Sequence, residues 1–246
     1  MRDGAVARVS AHARWETGLL LRNGEQLLLT LVIPVGILLA LTLTDVLATT
    51  VGPDRVPSAL ATVLAVSVLS AAFASLAIAT GFERRSGALR FLGTTPLTRS
   101  ELLGGKFGAT AVVTLLSTAA ACVTAVVVGW RPDVTALWAL PVIVLGTAAC
   151  TAWGMALAGL LRAEAVLAVA NGLFLVLLMF GGVVIPADDL PAPLGALAPW
   201  LPSGAMVDGF TDALVDGTAP SANAMLVLAA WLAVGAGLSA RTFRWS

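Results

Sequence analysis

The side chains able to do chemistry concentrate between Glu83 and Lys106. Glu83, Arg84, Arg85, Arg90, Arg99, Glu101 and Lys106 place seven charges there, in a chain where only 11% of residues are charged. The residue types limit what this stretch can do. It holds no nucleophile beside a base and no cluster with metal-ligand spacing. Lys106 is the only lysine of the chain and His12 the only histidine. Gly104-Gly105-Lys106 looks like the end of a phosphate-binding loop but fails the pattern. Ser100 stands five residues before Gly105 where glycine is needed, and Phe107 follows the lysine where a Ser or Thr hydroxyl would reach magnesium. The stretch therefore reads as a docking surface for a partner, not as an active site. Other polar residues are sparse. Asp188, Asp189 and Asp208 lie close in sequence without a histidine, and such clusters are ordinarily solvated. Asn171 is an amide at membrane depth, either an interhelical hydrogen bond or a substrate contact. Cys122 and Cys150 sit in apolar segments and read as buried free thiols, with a disulfide between adjacent spans as the alternative.

The elements that must position these residues are apolar helices. The chain has 246 residues and is 59% hydrophobic, whereas soluble domains are nearer 45–50% apolar and about 25% charged. The expected fold is an all-α integral membrane protein, one transmembrane domain over residues 1–246. About 20 apolar residues cross a bilayer core, and six stretches qualify: Leu27–Val46 with Pro34 inside, Ser58–Phe82, Phe107–Val128, Ala136–Leu161, Ala165–Ile185 and Ser221–Ala240. Residues 1–26 carry Val6, Val9, Ala13, Trp15, Leu19 and Leu20 in a loose helical stripe. An amphipathic helix in the membrane interface is expected there, with Trp15 as an interface residue. A turn is expected at Gly52-Pro53. Within residues 83–106, Arg84 and Arg85 would snorkel at the membrane edge. Ser86-Gly87 breaks the helix, Ala88–Leu92 forms a short amphipathic turn, and Gly93–Leu97 breaks it again. Thr98 or Ser100 then caps a new helix, with Glu101 completing a capping box. Residues 186–219 are Pro-rich and read as short helices between spans. Gly146, Ala149, Gly154, Ala158 and Gly159 on the fourth span invite close helix packing.

Charge sets the orientation. Residues 1–26, 83–106, 162–164 and 241–246 hold twelve of the fourteen basic residues. The alternate segments hold only Arg55 and Arg131, together with seven of the fourteen acids, and Asp45 at the adjoining end of the first span makes an eighth. By the positive-inside rule both termini are expected in the cytoplasm. The net charge is zero, so nothing points to nucleic acid. Deep within the six spans there is no Asp, Glu, Lys, Arg or His. This speaks against an ion-coupled carrier, which needs ionisable groups at membrane depth, and against an intramembrane protease. A lipid-modifying enzyme or an assembly factor is the competing class, and would show convergent His, Asp or Arg at one membrane face. If the chain is a pump, its energy must come from outside.

The order of residues from Glu83 to Lys106 resembles the loop between the second and third spans in permease subunits of type-2 ABC exporters, the daunorubicin-resistance type being nearest. The match is carried by Glu83, Arg84, Ser86, Gly87, Leu89, Thr95, Pro96, Leu97, Thr98, Arg99, Glu101 and Lys106. Ala88 stands where Thr is common. A second match runs from Phe180 to Leu214, where Ile185 replaces the usual aromatic before Pro186. The resemblance implies a bacterial inner-membrane, multi-pass export permease for an amphipathic or lipid-like substrate such as a drug. It implies an ABC ATPase subunit as partner, carrying ATP and Mg, so that this chain needs no cofactor of its own. It implies a second permease copy or a homologous permease alongside it in the membrane lipid. Glu83, Arg84, Arg85, Gly87, Leu89, Arg90, Phe91, Thr95, Pro96, Leu97, Arg99 and Glu101 would form the coupling segment. Residues 186–219 would form an extracytoplasmic re-entrant cap. Asn171, Phe174 and Phe180 are the candidate substrate path.

Overall fold

A computed structural model of the chain describes residues 2–24, 28–44, 54–95 and 97–242. The expected turn at Gly52-Pro53, Pro96, the ends of the first expected span and residues 243–246 lie outside them. Among the described residues the structure is helical throughout. Helix α1 spans Arg2–Arg22. A π-helical stretch, Leu28–Val32, leads into α2, Ile33–Leu43. Helix α3, Arg55–Val68, runs through a second π-helical stretch, Leu69–Ser75, into α4, Leu76–Ser86. The short α5, Ala88–Leu92, precedes the long α6, Arg99–Val127. A 3-10 turn, Val134–Trp138, opens α7, Ala139–Leu160, and α8 follows at Ala163–Phe180. After short turns come α9, Ala192–Leu197, α10, Pro202–Leu214, and α11, Ala222–Thr242.

Five helices among the described residues are long and apolar enough to cross a membrane: Arg55–Ser86, Ser100–Val127, Val134–Leu160, Ala163–Phe180 and Ala222–Thr242. They overlap the second to sixth expected spans, but the fifth ends at Phe180, where Gly181-Gly182 turns the chain, and not at Ile185. The first expected span appears as a shorter apolar helix, Thr30–Leu43. Pro34 lies inside this helical run, as expected, just past the junction where the π-helical stretch Leu28–Val32 passes into α2. The preceding π-helical stretch is tied to α6 by Ser117, whose hydroxyl donates to the Thr30 carbonyl at 2.5 Å.

The core lies around α3 and its π-helical continuation, which bury Leu60, Val63, Leu64, Val68 and Leu69 against α2, α6, α7 and α10. Small residues on α7 make this possible. A Cβ on Gly146 would lie 2.6 Å from the Met206 sulfur, and one on Gly154 would lie 3.0 Å from the Phe73 carbonyl. Residues 186–219 contribute α10, which buries Met206 and Phe210 completely. The cysteines are free thiols, Cys150 buried and Cys122 half-buried.

Candidate functional site

The polar stretch folds around two breaks. Gly87 ends α4 in the left-handed region at φ +81°, which a residue with a Cβ reaches only at a cost. Helix α5 follows at once, and a turn at Gly93–Thr95 closes it. Leu89 is fully buried with Leu76, Leu102 and Met155, which fixes the rotation of α5. Burial of one such leucine contributes roughly 1.5–3 kcal/mol. The opposite face then shows Arg90 and Phe91 to the outside, Phe91 being 74% exposed. Thr98 caps α6 through the expected box: its hydroxyl accepts from the Glu101 N–H at 3.3 Å, and its own N–H donates to Glu101 at 2.9 Å. Thr95 and Leu97 are half-buried beside α5. Arg99 opens α6, its side chain lying outside the described atoms.

Arg84 and Arg85 do not snorkel freely. Arg84 donates to the carbonyls of Ala158 (2.8 Å), Gly159 (3.0 Å) and Leu161 (2.5 Å), satisfying the last turn of α7. Arg85 pairs with Glu164 at 2.5 Å, both side chains 60% exposed, and such an exposed pair contributes little.

The expected interfacial helix does not lie on the membrane alone. Helix α1 packs along α6. The contacts advance together, Arg8 with Glu101, Val9 with Gly104, His12 with Gly105 and Ala13 with Gly108, so the two helices run parallel. The glycines allow the approach: a Cβ on Gly105 would sit 2.3 Å from the His12 ring. Gly104-Gly105-Lys106, which fails as a phosphate loop, is thus a seat for α1. Trp15 remains 55% exposed on the outer face. Arg8 reaches Glu101 at 2.5 Å and so joins the α6 cap to α1.

Beneath this contact lies a buried ionic cluster. The Lys106 side chain is 1% exposed and its ammonium donates to Glu16 on α1 and to Glu83 on α4, the latter at 2.8 Å. His12 Nε2 stands 3.0 Å from the Glu16 carboxylate, off the line of a hydrogen bond. The membrane-spanning helices are therefore not free of charge along their whole length: helices α4 and α6 extend beyond the expected spans and carry Glu83 and Lys106 into the packed interior at one end. Burial pushes the Glu16 carboxyl up, but His12 and Lys106 together outweigh it and hold it below its ordinary value. The chain's only lysine and only histidine meet here, which their sparse positions in the sequence did not reveal. The pairing joins residues 90 apart. Two carboxylates and one ammonium link α1, α4 and α6. A groove of about 720 Å³ runs between α1 and α5, with Trp15 and Phe91 on its walls and Glu16 and Glu83 on its floor.

The three residues of the candidate substrate path are not brought to one site. Asn171 is exposed on α8 and makes no side-chain hydrogen bond among the described residues, so of its two expected readings the interhelical bond is not formed within this chain. Phe174 is half-buried against the core, and Phe180 is 37% exposed at the end of α8. At the other end of the helices, Asp188, Asp189 and Asp208 line a pocket of about 730 Å³ beside α10. Burial and the neighbouring Asp212 raise the Asp208 carboxyl above its ordinary value.

A family model described as ABC-2 family transporter protein matches residues 27–241. The match begins after α1, so the His12 and Glu16 side of the ionic cluster precedes it. Comparison with curated proteins finds no match.

Proposed function

The chain belongs to the ABC-2 family of transporter proteins, and from that premise we propose that it is the permease half of an ATP-driven exporter carrying an amphipathic or lipid-like substrate. It is a transport subunit rather than an enzyme. A separate ATPase hydrolyses ATP with Mg, and α5 is the element that meets it. Two permeases, identical or homologous, complete the membrane unit in a bacterial inner membrane, with both termini cytoplasmic. The observation that carries this reading is the construction of α5: a one-turn helix held between Gly87 and the Gly93 turn, anchored by Leu89, with Arg90 and Phe91 presented outward. A displacement applied to Phe91 and Arg90 is passed through Leu89 to Leu102 on α6 and to Met155 on α7. The Lys106 cluster holds α1, α4 and α6 together as α5 moves. The aspartates beside α10 then lie on the outer side, where residues 186–219 cap the exit.

The test is co-expression with ATPases encoded by neighbouring genes, followed by purification through the permease. A stable complex whose ATP hydrolysis drives export from inverted vesicles is expected. Phe91→Asp should release the ATPase while the permease still inserts in the membrane. Export driven by an ion gradient with the chain alone, or full ATP-dependent export by Phe91→Asp, would overturn the reading.

A further inference from the structure

We propose that a pit in the membrane-facing wall, at the level of the π-helical stretch Leu69–Ser75, holds one acyl chain of a bilayer phospholipid. The pit has a volume of about 260 Å³, room for roughly eight groups of the size of water or a methylene at about 30 Å³ each. Its floor is buried and formed by Leu69 and Phe73 of the π-helical stretch, Cys150 of α7, and Pro202 at the start of α10. Its lip is formed by Leu173 and Val176 of α8, which are 43% and 47% exposed. It is thus a hole with an open mouth on the outer wall rather than a flat apolar face.

Three observations select the occupant. First, all the lining residues except Leu201 and Pro202 belong to four helices long enough to cross a membrane, where the surrounding solvent is hydrocarbon. Second, the pit offers no polar atom to a ligand. Its two tryptophans have already spent their donors: Trp153 Nε1 donates to the Trp231 carbonyl and Trp231 Nε1 to the Trp200 carbonyl, both at 2.9 Å. A head group has nothing to bind, whereas a chain loses nothing. Third, the floor is shaped by the π-helical stretch itself. Its Phe73 carbonyl approaches α7 so closely that a Cβ at position 154 would lie only 3.0 Å from it, and π-helical stretches recur at functional sites. The tryptophan chain runs from the pit to Trp200, in the segment leading into α10. A chain in the pit therefore bears on the segment that joins α8 to α10. The inference rests on the membrane placement of these helices and not on the ATPase reading, so either can fail alone.

The experiment places the full-length protein in phosphatidylcholine vesicles carrying a photoreactive diazirine either in mid-chain or on the head group. The mid-chain probe is expected to label the α7 peptide that contains Cys150 and Trp153, and the head-group probe is not. Val176→Trp fills the mouth and should lower that labelling about tenfold, the equivalent of displacing roughly two buried methylenes. Leu167→Trp, exposed on the same helix away from the pit, should leave it unchanged. Equal labelling of wild type and Val176→Trp overturns the proposal. So does crosslinking of Leu173→Cys between two copies with loss of the lipid label, which would make a second permease the occupant. Full displacement of the label by a single-chain amphiphile added at a small fraction of the lipid would assign the pit to cargo and also overturn it.

Discussion

Replacement of Lys106 by methionine tests the ionic cluster most directly. Methionine keeps the length and apolar stem of lysine and removes only the charge. The Lys106 side chain is 1% exposed, Glu16 8% and Glu83 32%. Removing the ammonium leaves two carboxylates facing each other in the packed end of the helices. Breaking a buried pair by deleting one partner costs about 3–5 kcal/mol. Because Glu83 keeps water on about a third of its surface, the lower end applies, about 3 kcal/mol. For a chain of this size that is a fall in Tm of roughly 6–12 °C. The assay is thermal unfolding of the purified protein in one detergent, read by tryptophan fluorescence. The mechanism makes a second demand. The triple variant Glu16→Gln, Glu83→Gln, Lys106→Met has no uncompensated charge, and buried ionic groups replaced together are often neutral in effect. It should recover most of the lost Tm. A fall below about 2 °C for Lys106→Met, or a triple variant as unstable as the single one, would refute the view that a buried charge balance holds α1 to α4 and α6.

Other outcomes follow from single features. Gly87→Ala meets no atom within 4 Å but must adopt φ +81°, so it should lower stability by about 1–2 kcal/mol, and ATPase-coupled export should fall more than membrane insertion. Gly154→Leu drives a side chain into the Phe73 carbonyl and should prevent α7 from docking, read as loss of a monodisperse peak in size-exclusion chromatography. The Glu16 carboxyl is held below its ordinary value of 4.5. Its contribution is therefore fully present above 4.5 and is lost as pH falls through the lower folded-state value. Protection of residues 2–24 from protease should persist at pH 4.5 and fall below it, whereas Glu16→Gln should leave only the acid dependence carried by Glu101 at Arg8, whose carboxyl is held down to about 2.

Composition and apolar runs were enough to read a polytopic helical membrane protein, because hydrocarbon admits only helices or closed barrels and the second to sixth spans are long unbroken runs. Local signals were equally legible. Gly87 as a break and Thr98–Glu101 as a capping box depend on neighbours within four residues, and both appear where they were expected. The resemblance carried by residues 83–106 and 180–214 pointed to the family found over residues 27–241. What the sequence did not disclose depends on distant contacts. His12 and Lys106 look like isolated residues until α1 lies parallel to α6 and a glycine pair lets the helices close. Asn171 reads as an interior amide until α8 is seen with that face turned outward. The π-helical stretches leave no distinct residue pattern, because they arise where packing against α6 and α7 draws the backbone off the regular ladder. Hydrophobic lengths and caps are properties of one segment. Pairing of buried charges and rotation of helices belong to the assembled bundle, and only the tertiary structure decides them.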